Sequence, residues 1–176
     1  MSRAVRFAPL ALLLLVVAAL IWRLARPTDS NVPSKLEGKP VPAFDLGAAL
    51  DNKAPLSSRD LATGQTHLLN IFASWCVPCI GEVKVLQQLK AGGVSIDGIA
   101  IRDRPEDVAA FLARNGDPYE RIGTDPQSAV QISLGSSGVP ESFIIDGRGF
   151  VRYQHIGPIE PGDIQVIRDK VESLKK

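Results

Sequence analysis

The sequence is poor in cysteine and in metal ligands. Among its 176 residues there are two cysteines, Cys76 and Cys79, and two histidines, His67 and His155. A structural zinc site usually takes four Cys or His ligands, and the two histidines lie far apart in the sequence. The composition therefore argues against a metal site. Each histidine is more simply explained as a strand or sheet-surface residue.

The sequence also lacks a large excess of either charge, since its formal net charge is +1. Four of the 20 Lys and Arg residues precede the first acidic residue, Asp29, so 16 basic and 19 acidic residues remain beyond that point. This balance argues against nucleic acid as a partner. There are no repeats or low-complexity segments, and 45% of the residues are hydrophobic. One globular domain with a proper core is expected.

Charged residues are missing from residues 7–22, which consist mainly of Leu, Val and Ala and have two arginines on each side. As a helix, this stretch spans about 24 Å, short of the ~30 Å hydrocarbon core, and snorkelling arginines with Trp22 at the interface would make up the difference. We expect a membrane anchor over residues 1–26. The alternative is a cleaved signal peptide, with Val17, Ala18 and Ala19 at the cleavage site.

Proline, serine and glycine are frequent in residues 27–38, which indicates a tether. The domain itself is expected over residues 39–176.

The two cysteines form a Cys-Val-Pro-Cys motif directly after the apolar run of residues 68–74. At this position a buried strand gives way to a helix, and the free N–H groups and dipole of the helix start favour a thiolate at Cys76. Cys79, one turn further on, is then the buried resolving thiol. A disulfide between them closes too small a loop to add much stability. Redox exchange is therefore favoured over a structural disulfide or metal binding.

Strand and helix patterns alternate around this motif. Strands are predicted over residues 67–72 and 94–101, with a helix over residues 76–90 between them and another from Pro105. This βαβ unit implies a parallel pair with a right-handed crossover. Residues 142–145 and 150–155 predict an antiparallel hairpin, and a last helix begins at Pro161. The layout predicts an α/β, thioredoxin-like fold with a central mixed β-sheet flanked by helices.

Two segments carry a specific resemblance. Residues 70–82, Asn-Ile-Phe-Ala-Ser-Trp-Cys-Val-Pro-Cys-Ile-Gly-Glu, and residues 135–146, Gly-Ser-Ser-Gly-Val-Pro-Glu-Ser-Phe-Ile-Ile-Asp, are similar to the DsbE/CcmG family. These are membrane-tethered, thioredoxin-like thiol:disulfide interchange proteins of cytochrome c biogenesis. The similarity extends from about residue 39 to the last helix. Family members often carry larger residues at Ser136 and Ser137 and Thr at Ser142, differences that concern partner specificity rather than the chemistry.

The resemblance implies a role for each residue around the dithiol. Cys76 is the attacking thiol, and Cys79 resolves the mixed disulfide. Pro140 corresponds to the cis-proline beside the CxxC motif, where a cis bond after Val139 turns the backbone so that a substrate strand can pair with it. For an arbitrary X-Pro bond the alternative is a trans proline that opens a strand. Trp75 shelters the dithiol or, alternatively, is a plain core residue.

Two carboxylates are expected near the active site. Glu82 falls one helical turn past Cys79, and Glu141 directly follows the proline. Asn70 stands where ordinary thioredoxin carries a buried Asp, so the proton acceptor for Cys79 must come from elsewhere. Glu82 is the candidate, because burial would raise its pKa, and the alternative is a solvated helix residue. Glu141 either accepts the proton in the same way or adds negative potential that tunes the pKa of the thiols and the choice of partner.

Taken with the resemblance, these residues predict a single-pass protein of the inner membrane whose catalytic domain faces the periplasm. It would reduce the haem-binding cysteines of apocytochrome c, directly or through another maturation protein, and be kept reduced by a membrane dithiol electron donor. No cofactor is expected. The alternatives are a general extracytoplasmic disulfide reductase or oxidase, which the reduction potential would distinguish, and a non-catalytic scaffold or metal-delivery module.

Overall fold

The computed structural model describes residues 3–24 and 36–175 and divides into two units, residues 1–32 and 33–176. The first unit contains one helix in its described part, α1 (Arg3–Leu24). Across the described residues, none of the helices combines the length and the apolar character that a membrane span requires. The anchor predicted over residues 1–26 therefore stays a prediction. Most of the predicted tether, residues 27–35, lies outside the described residues.

The second unit is built on a five-stranded mixed sheet in the order β5-β4-β3-β6-β7, in which β3, β4 and β5 run parallel and β6 runs antiparallel to both of its neighbours, β3 and β7. Its elements in chain order are β1 (Asp45–Leu46), β2 (Leu56–Ser57), β3 (His67–Phe72), α2 (Val77–Ala91), β4 (Ser95–Ile101), α3 (Pro105–Asn115), β5 (Ile122–Asp125), α4 (Ala129–Ser133), β6 (Glu141–Ile145), β7 (Val151–Ile156) and, after a 3-10 turn (Pro161–Asp163), α5 (Ile164–Ser173).

Strand β3 is the centre of the sheet, and all six of its residues are buried. Its side chains alternate between two faces. Asn70 and Phe72 lie on the face that contacts α2 and α3, which we call the α2 face. His67 lies on the opposite face, where its ring nitrogen Nδ1 is 2.8 Å from Asp97 Oδ2. His67 is thus a buried strand residue, and His155 lies in β7 as a strand residue at the partly exposed edge.

Helix boundaries follow the sequence signals. Helix α2 has a proline in its first turn and ends before Gly92 and Gly93, and Gly93 has a positive φ of 86° that favours glycine. Helix α3 begins at Pro105, as predicted, and its buried residues Val108, Phe111 and Leu112 lie at helical spacing. In the last helix, α5, Ile167 and Val171 are buried, and Ile164 and the C-cap residue Leu174 are half-buried.

Gly98 of β4 allows a close approach on the α2 face. A Cβ at this position would lie 2.9 Å from the Phe72 ring and 3.0 Å from the Tyr119 ring. Because glycine leaves this space open, the two rings stack with their centroids 4.6 Å apart. The Tyr119 side chain thereby reaches the middle of the sheet.

Candidate active site

The two cysteines lie where β3 ends and α2 begins, as predicted. Cys76 is the N-cap of α2, and its sulfur accepts a hydrogen bond of 3.2 Å from the backbone N–H of Cys79. The two sulfurs form a disulfide with an S–S distance of 2.09 Å. Both residues are buried. The first sulfur therefore sits at the positive end of the helix, where a thiolate is stabilised by N–H groups and the helix dipole.

The turn before the dithiol is held by the end of β4. The Asp103 carboxylate accepts hydrogen bonds from the backbone N–H and the hydroxyl of Ser74, at 2.6 and 2.5 Å. The Trp75 indole N–H donates to the carbonyl oxygen of Arg102 at 3.3 Å. No sequence signal indicated that Asp103 holds this turn, because Asp103 and Ser74 are 29 residues apart in the sequence.

Large apolar side chains surround the buried sulfurs on the protein surface. Trp75 is 55% exposed and Val77 is 76% exposed, and Ile80 is also exposed. Trp75 is thus a surface residue beside the dithiol, and its alternative assignment to the core is wrong. An exposed apolar group of this kind is typical of a site that contacts another polypeptide.

The Val139–Pro140 peptide bond is cis, as the resemblance implied, so the alternative of a trans proline is wrong. Pro140 is buried, and its carbonyl oxygen accepts a hydrogen bond of 3.1 Å from Gly157 N–H. It directly precedes β6, whose first residue pairs with Ile71 near the end of β3. The cis-proline and the dithiol therefore lie at the same edge of the sheet, which we call the dithiol edge.

Glu82 lies on α2 one turn beyond Cys79, and its residue is 2% exposed. One carboxylate oxygen accepts the backbone N–H of Ile159 at 2.9 Å, and the other accepts the Asn70 amide at 3.2 Å. Burial raises the pKa of Glu82 to about 7, and the two hydrogen bonds oppose the shift only in part. The expected burial is confirmed, and the alternative of a solvated helix residue is wrong.

A hydrogen-bonded network connects Glu82 to the sheet. The Asn70 amide also donates to the Ser142 hydroxyl at 2.9 Å, and the Asn70 carbonyl accepts the Tyr119 hydroxyl at 2.8 Å. Burial, and secondly the charges of Glu82 and Asp117, raise the pKa of Tyr119 well above its usual value. Sequence reasoning assigned no role to Tyr119 or Ser142. Their contacts with Asn70 span 49 and 72 residues, so no local pattern could have revealed them.

Glu82 also lines a groove of about 510 Å³ that opens to solvent between α2 and residues 158–161. Gly81 and Val85 of α2 line the same groove, with Ile159 on the other side. A proton bound by Glu82 is therefore close to bulk water, although the carboxylate itself is buried.

Glu141 is also buried, at 1% exposure, but it lies on the opposite face of the sheet from Glu82. Glu141 pairs with Ile71, and the side chain of Ile71 lies on the face opposite to that of its neighbour Asn70, which contacts Glu82. Its carboxylate accepts hydrogen bonds from the Ser136 hydroxyl at 2.5 Å and from the backbone N–H of Ser137 at 2.9 Å, and it also accepts one from the Gln154 amide. The two carboxylates that the sequence placed together thus share the dithiol edge but not a common pocket.

Across the described residues, no three or more His, Cys, Asp or Glu side chains are arranged to hold a metal ion.

Comparison with known proteins supports the resemblance. The sequence matches the Redoxin family over residues 36–171. It is 39% identical over 166 residues to the thiol:disulfide interchange protein DsbE of Escherichia coli, which covers 92% of this chain and 89% of that protein. It is 35% identical over 174 residues to the thiol:disulfide interchange protein HelX of Rhodobacter capsulatus, which covers 99% and 97%.

Among solved structures, a thiol:disulfide interchange protein of the thioredoxin family from Chlorobium tepidum superposes with a TM-score of 0.62 at 25% identity, covering 78% of this chain and 96% of that one. The fold is thus thioredoxin-like, with a mixed sheet flanked by helices, and the protein is an enzyme, a thiol:disulfide oxidoreductase. The chain belongs to the Redoxin family and, within it, to the DsbE-type thiol:disulfide interchange proteins.

Proposed function

We propose that this oxidoreductase is a membrane-anchored, periplasmic reductant of cytochrome c maturation, and that its clients are the haem-binding cysteines of apocytochrome c or a maturation protein that carries their disulfide. The observation that carries the proposal is a dithiol at a helix start with a buried carboxylate, of pKa about 7, one turn beyond its second cysteine. The similarity of residues 70–82 and 135–146 to a family of cytochrome c biogenesis supports this choice of client.

The first step is attack by the Cys76 thiolate on one sulfur of a client disulfide. A mixed disulfide forms between Cys76 and the client, and the other client cysteine leaves as a thiolate that takes a proton from water. The position of Cys76 at the N-terminus of α2 favours the thiolate that this step needs.

In the second step, Cys79 gives its proton to Glu82 and attacks the Cys76 sulfur. The Cys76–client bond breaks, and the second client thiolate is released and protonated. The client gains two electrons and two protons, and the enzyme is left with the Cys76–Cys79 disulfide. A carboxylate with a pKa of about 7 suits this role, since it can accept a proton and return it to water near neutral pH.

The remaining residues support the exchange without taking part in electron transfer. The backbone at Val139 and the cis-proline Pro140 would pair with an extended client segment beside the sulfurs. Trp75 would cover an apolar part of that segment. Glu141 would hold the loop that precedes the proline through its bonds to Ser136 and Ser137.

The protein must be reduced again after each turnover. A membrane dithiol donor is the partner expected for an anchor over residues 1–26, and it would open the Cys76–Cys79 disulfide by the reverse of the same two steps.

The equilibrium reduction potential of the full chain tests the direction of the reaction. A titration against glutathione or dithiothreitol buffers, followed by alkylation of free thiols, is expected to give a value near or below about −200 mV. A value close to the about −120 mV of a strong oxidant would instead assign the protein to disulfide formation.

The client is tested with an oxidised peptide that contains a Cys-x-x-Cys-His haem-binding motif. The reduced enzyme is expected to reduce this peptide faster than an unrelated peptide with one disulfide, and Cys79→Ser is expected to accumulate the mixed disulfide. Equal rates for the two peptides would support a general disulfide reductase.

A further inference from the structure

Arg102 is an exposed charged residue at the dithiol edge, directly after β4. Its carbonyl oxygen accepts the Trp75 indole N–H, and its own N–H donates to the carbonyl oxygen of Asp125 at 3.3 Å. The main chain of Arg102 is thereby fixed between the turn that carries the dithiol and the end of β5. Its side chain therefore starts from a defined point close to Trp75.

Arg102 and Ser128 both adopt a left-handed backbone conformation, with φ angles of 49° and 56°. This conformation is disfavoured for residues that have a Cβ, and it tends to occur at functional sites. The two residues are joined by a hydrogen bond of 3.0 Å from Arg102 Nε to the Ser128 hydroxyl. Ser128 is completely buried, so it holds the guanidinium from a rigid position.

The Ser128 hydroxyl is available for this bond because another residue caps α4. The Asp125 carboxylate accepts the backbone N–H groups of Ala129, Val130 and Gln131 at 2.9 to 3.0 Å, and Ser128 makes no side-chain cap bond. The hydroxyl thus serves to orient Arg102 rather than to begin the helix.

The outer part of the guanidinium has no partner within residues 36–175. Its Nη groups make no hydrogen bond there and lie within 4.0 Å of no carboxylate, whereas Arg104 pairs with Glu106 and Asp107. Ordering a long side chain costs conformational entropy. In Arg102 the bond to Ser128 uses Nε and leaves both Nη groups without a partner in residues 36–175, and a guanidinium with two free Nη groups can bind a carboxylate through two parallel hydrogen bonds.

We propose that Arg102 recognises a carboxylate of the polypeptide whose cysteines exchange with Cys76, and so contributes to client specificity. The exposed apolar residues Trp75 and Val77 would form the centre of the contact, and the Arg102 charge would lie at its rim, the arrangement common in protein interfaces. The proposal rests on the proposed function only in requiring a polypeptide client.

The test uses peptides with one disulfide that differ only in Asp against Asn, placed at successive positions on either side of the cysteine pair. Exchange rates are measured by stopped flow for the full chain, Arg102→Gln, Arg102→Lys and Arg114→Gln. The last variant removes the same charge from an exposed position near the end of α3, at the other end of that helix. For at least one Asp position, Arg102→Gln is expected to slow exchange by about threefold to tenfold.

Three readouts distinguish recognition from a structural effect. The Asn peptides, exchange with dithiothreitol and the reduction potential are expected to be unchanged in Arg102→Gln, and Arg102→Lys is expected to recover part of the rate. An equal loss with Asp and Asn peptides, a shifted potential, or an equal effect of Arg114→Gln would overturn the proposal. Rates are measured in both directions of thiol–disulfide exchange. A strongly oxidising reduction potential would refute the reductant function, whereas the comparison of Asp with Asn peptides would still test the role of Arg102.

Discussion

Glu82 and Glu141 differ in how their buried charges are compensated. Glu82 accepts one backbone N–H and one amide at 3.2 Å. Glu141 accepts a hydroxyl, a backbone N–H and a side-chain amide, so its carboxylate is surrounded by donors. A buried carboxylate with few donors favours its neutral form, whereas donors around a carboxylate stabilise the charge and fix the groups that donate. Burial alone therefore does not identify a proton acceptor.

The largest expected effect is on stability as a function of pH. The raised pKa of Glu82 means that the folded protein binds more protons than the unfolded chain between its ordinary value of 4.5 and about 7. Stability therefore falls as pH rises through this range, by up to about 3 kcal/mol from Glu82. In Glu82→Gln this component is expected to be absent. Urea unfolding of the oxidised proteins at pH 4 to 8 measures the difference.

The matched control for this prediction is Glu141→Gln, which is expected to retain the decline towards pH 7. Parallel curves for the full chain and Glu82→Gln would mean that Glu82 does not bind the additional proton.

The next effect concerns the rate of exchange. Glu82→Gln is expected to slow resolution of the mixed disulfide on the order of 10²-fold at neutral pH, because Cys79 loses its proton acceptor. The pH dependence of that step near 7 is expected to disappear as well. Single-turnover kinetics with an oxidised peptide separate this step from the first attack. If Glu141→Gln removed the pH dependence instead, the roles of the two carboxylates would be reversed.

The third effect concerns the loop before the cis-proline. Glu141→Gln is expected to lower the free energy of unfolding by about 2 kcal/mol, because the new amide group meets donors where the carboxylate accepted three hydrogen bonds. The variant is expected to keep the wild-type pH profile for the resolution step. Urea unfolding at pH 7 provides the measurement. A free energy of unfolding equal to that of the wild type within error would contradict the role of Glu141 in holding this loop.

The smallest effect distinguishes the two serines. Ser136 donates to Glu141 through its hydroxyl, whereas Ser137 donates through its backbone and its side chain is exposed. Ser136→Ala is therefore expected to cost about 1 kcal/mol of stability, and Ser137→Ala is expected to cost nothing measurable. Equal effects in thermal or urea unfolding would show that the Ser136 hydroxyl does not support the carboxylate.

Local patterns were sufficient to predict much of the fold. The strand predicted over residues 67–72 is β3 with the predicted bounds, and Pro105 begins α3 as expected. The predicted position of the dithiol also agrees with the structure, because a strand followed by a helix start is visible in a short stretch of sequence. In contrast, β5 consists of Ile-Gly-Thr-Asp and has no apolar run, and the β1–β2 pair has two residues in each strand. Neither presents a periodicity long enough to detect.

The candidate site was predictable only where its residues lie close together in the sequence. Cys76 caps α2, and Cys79 and Glu82 lie within its first turns, so the spacing of the three residues was informative. The face of the sheet on which Glu141 lies depends on strand register, which a one-residue shift would reverse. Tyr119 reaches Asn70 only because Gly98 leaves space on another strand, and that requirement involves three separate segments.

The burial of β3 on both faces has a consequence for amide hydrogen exchange. All six of its residues pair with β4, and the five from His67 to Ile71 also pair with β6, so the amides of this strand are expected to exchange only through the largest openings of the domain. Cys76, the N-cap of α2, therefore follows closely after the segment whose amides are expected to exchange most slowly.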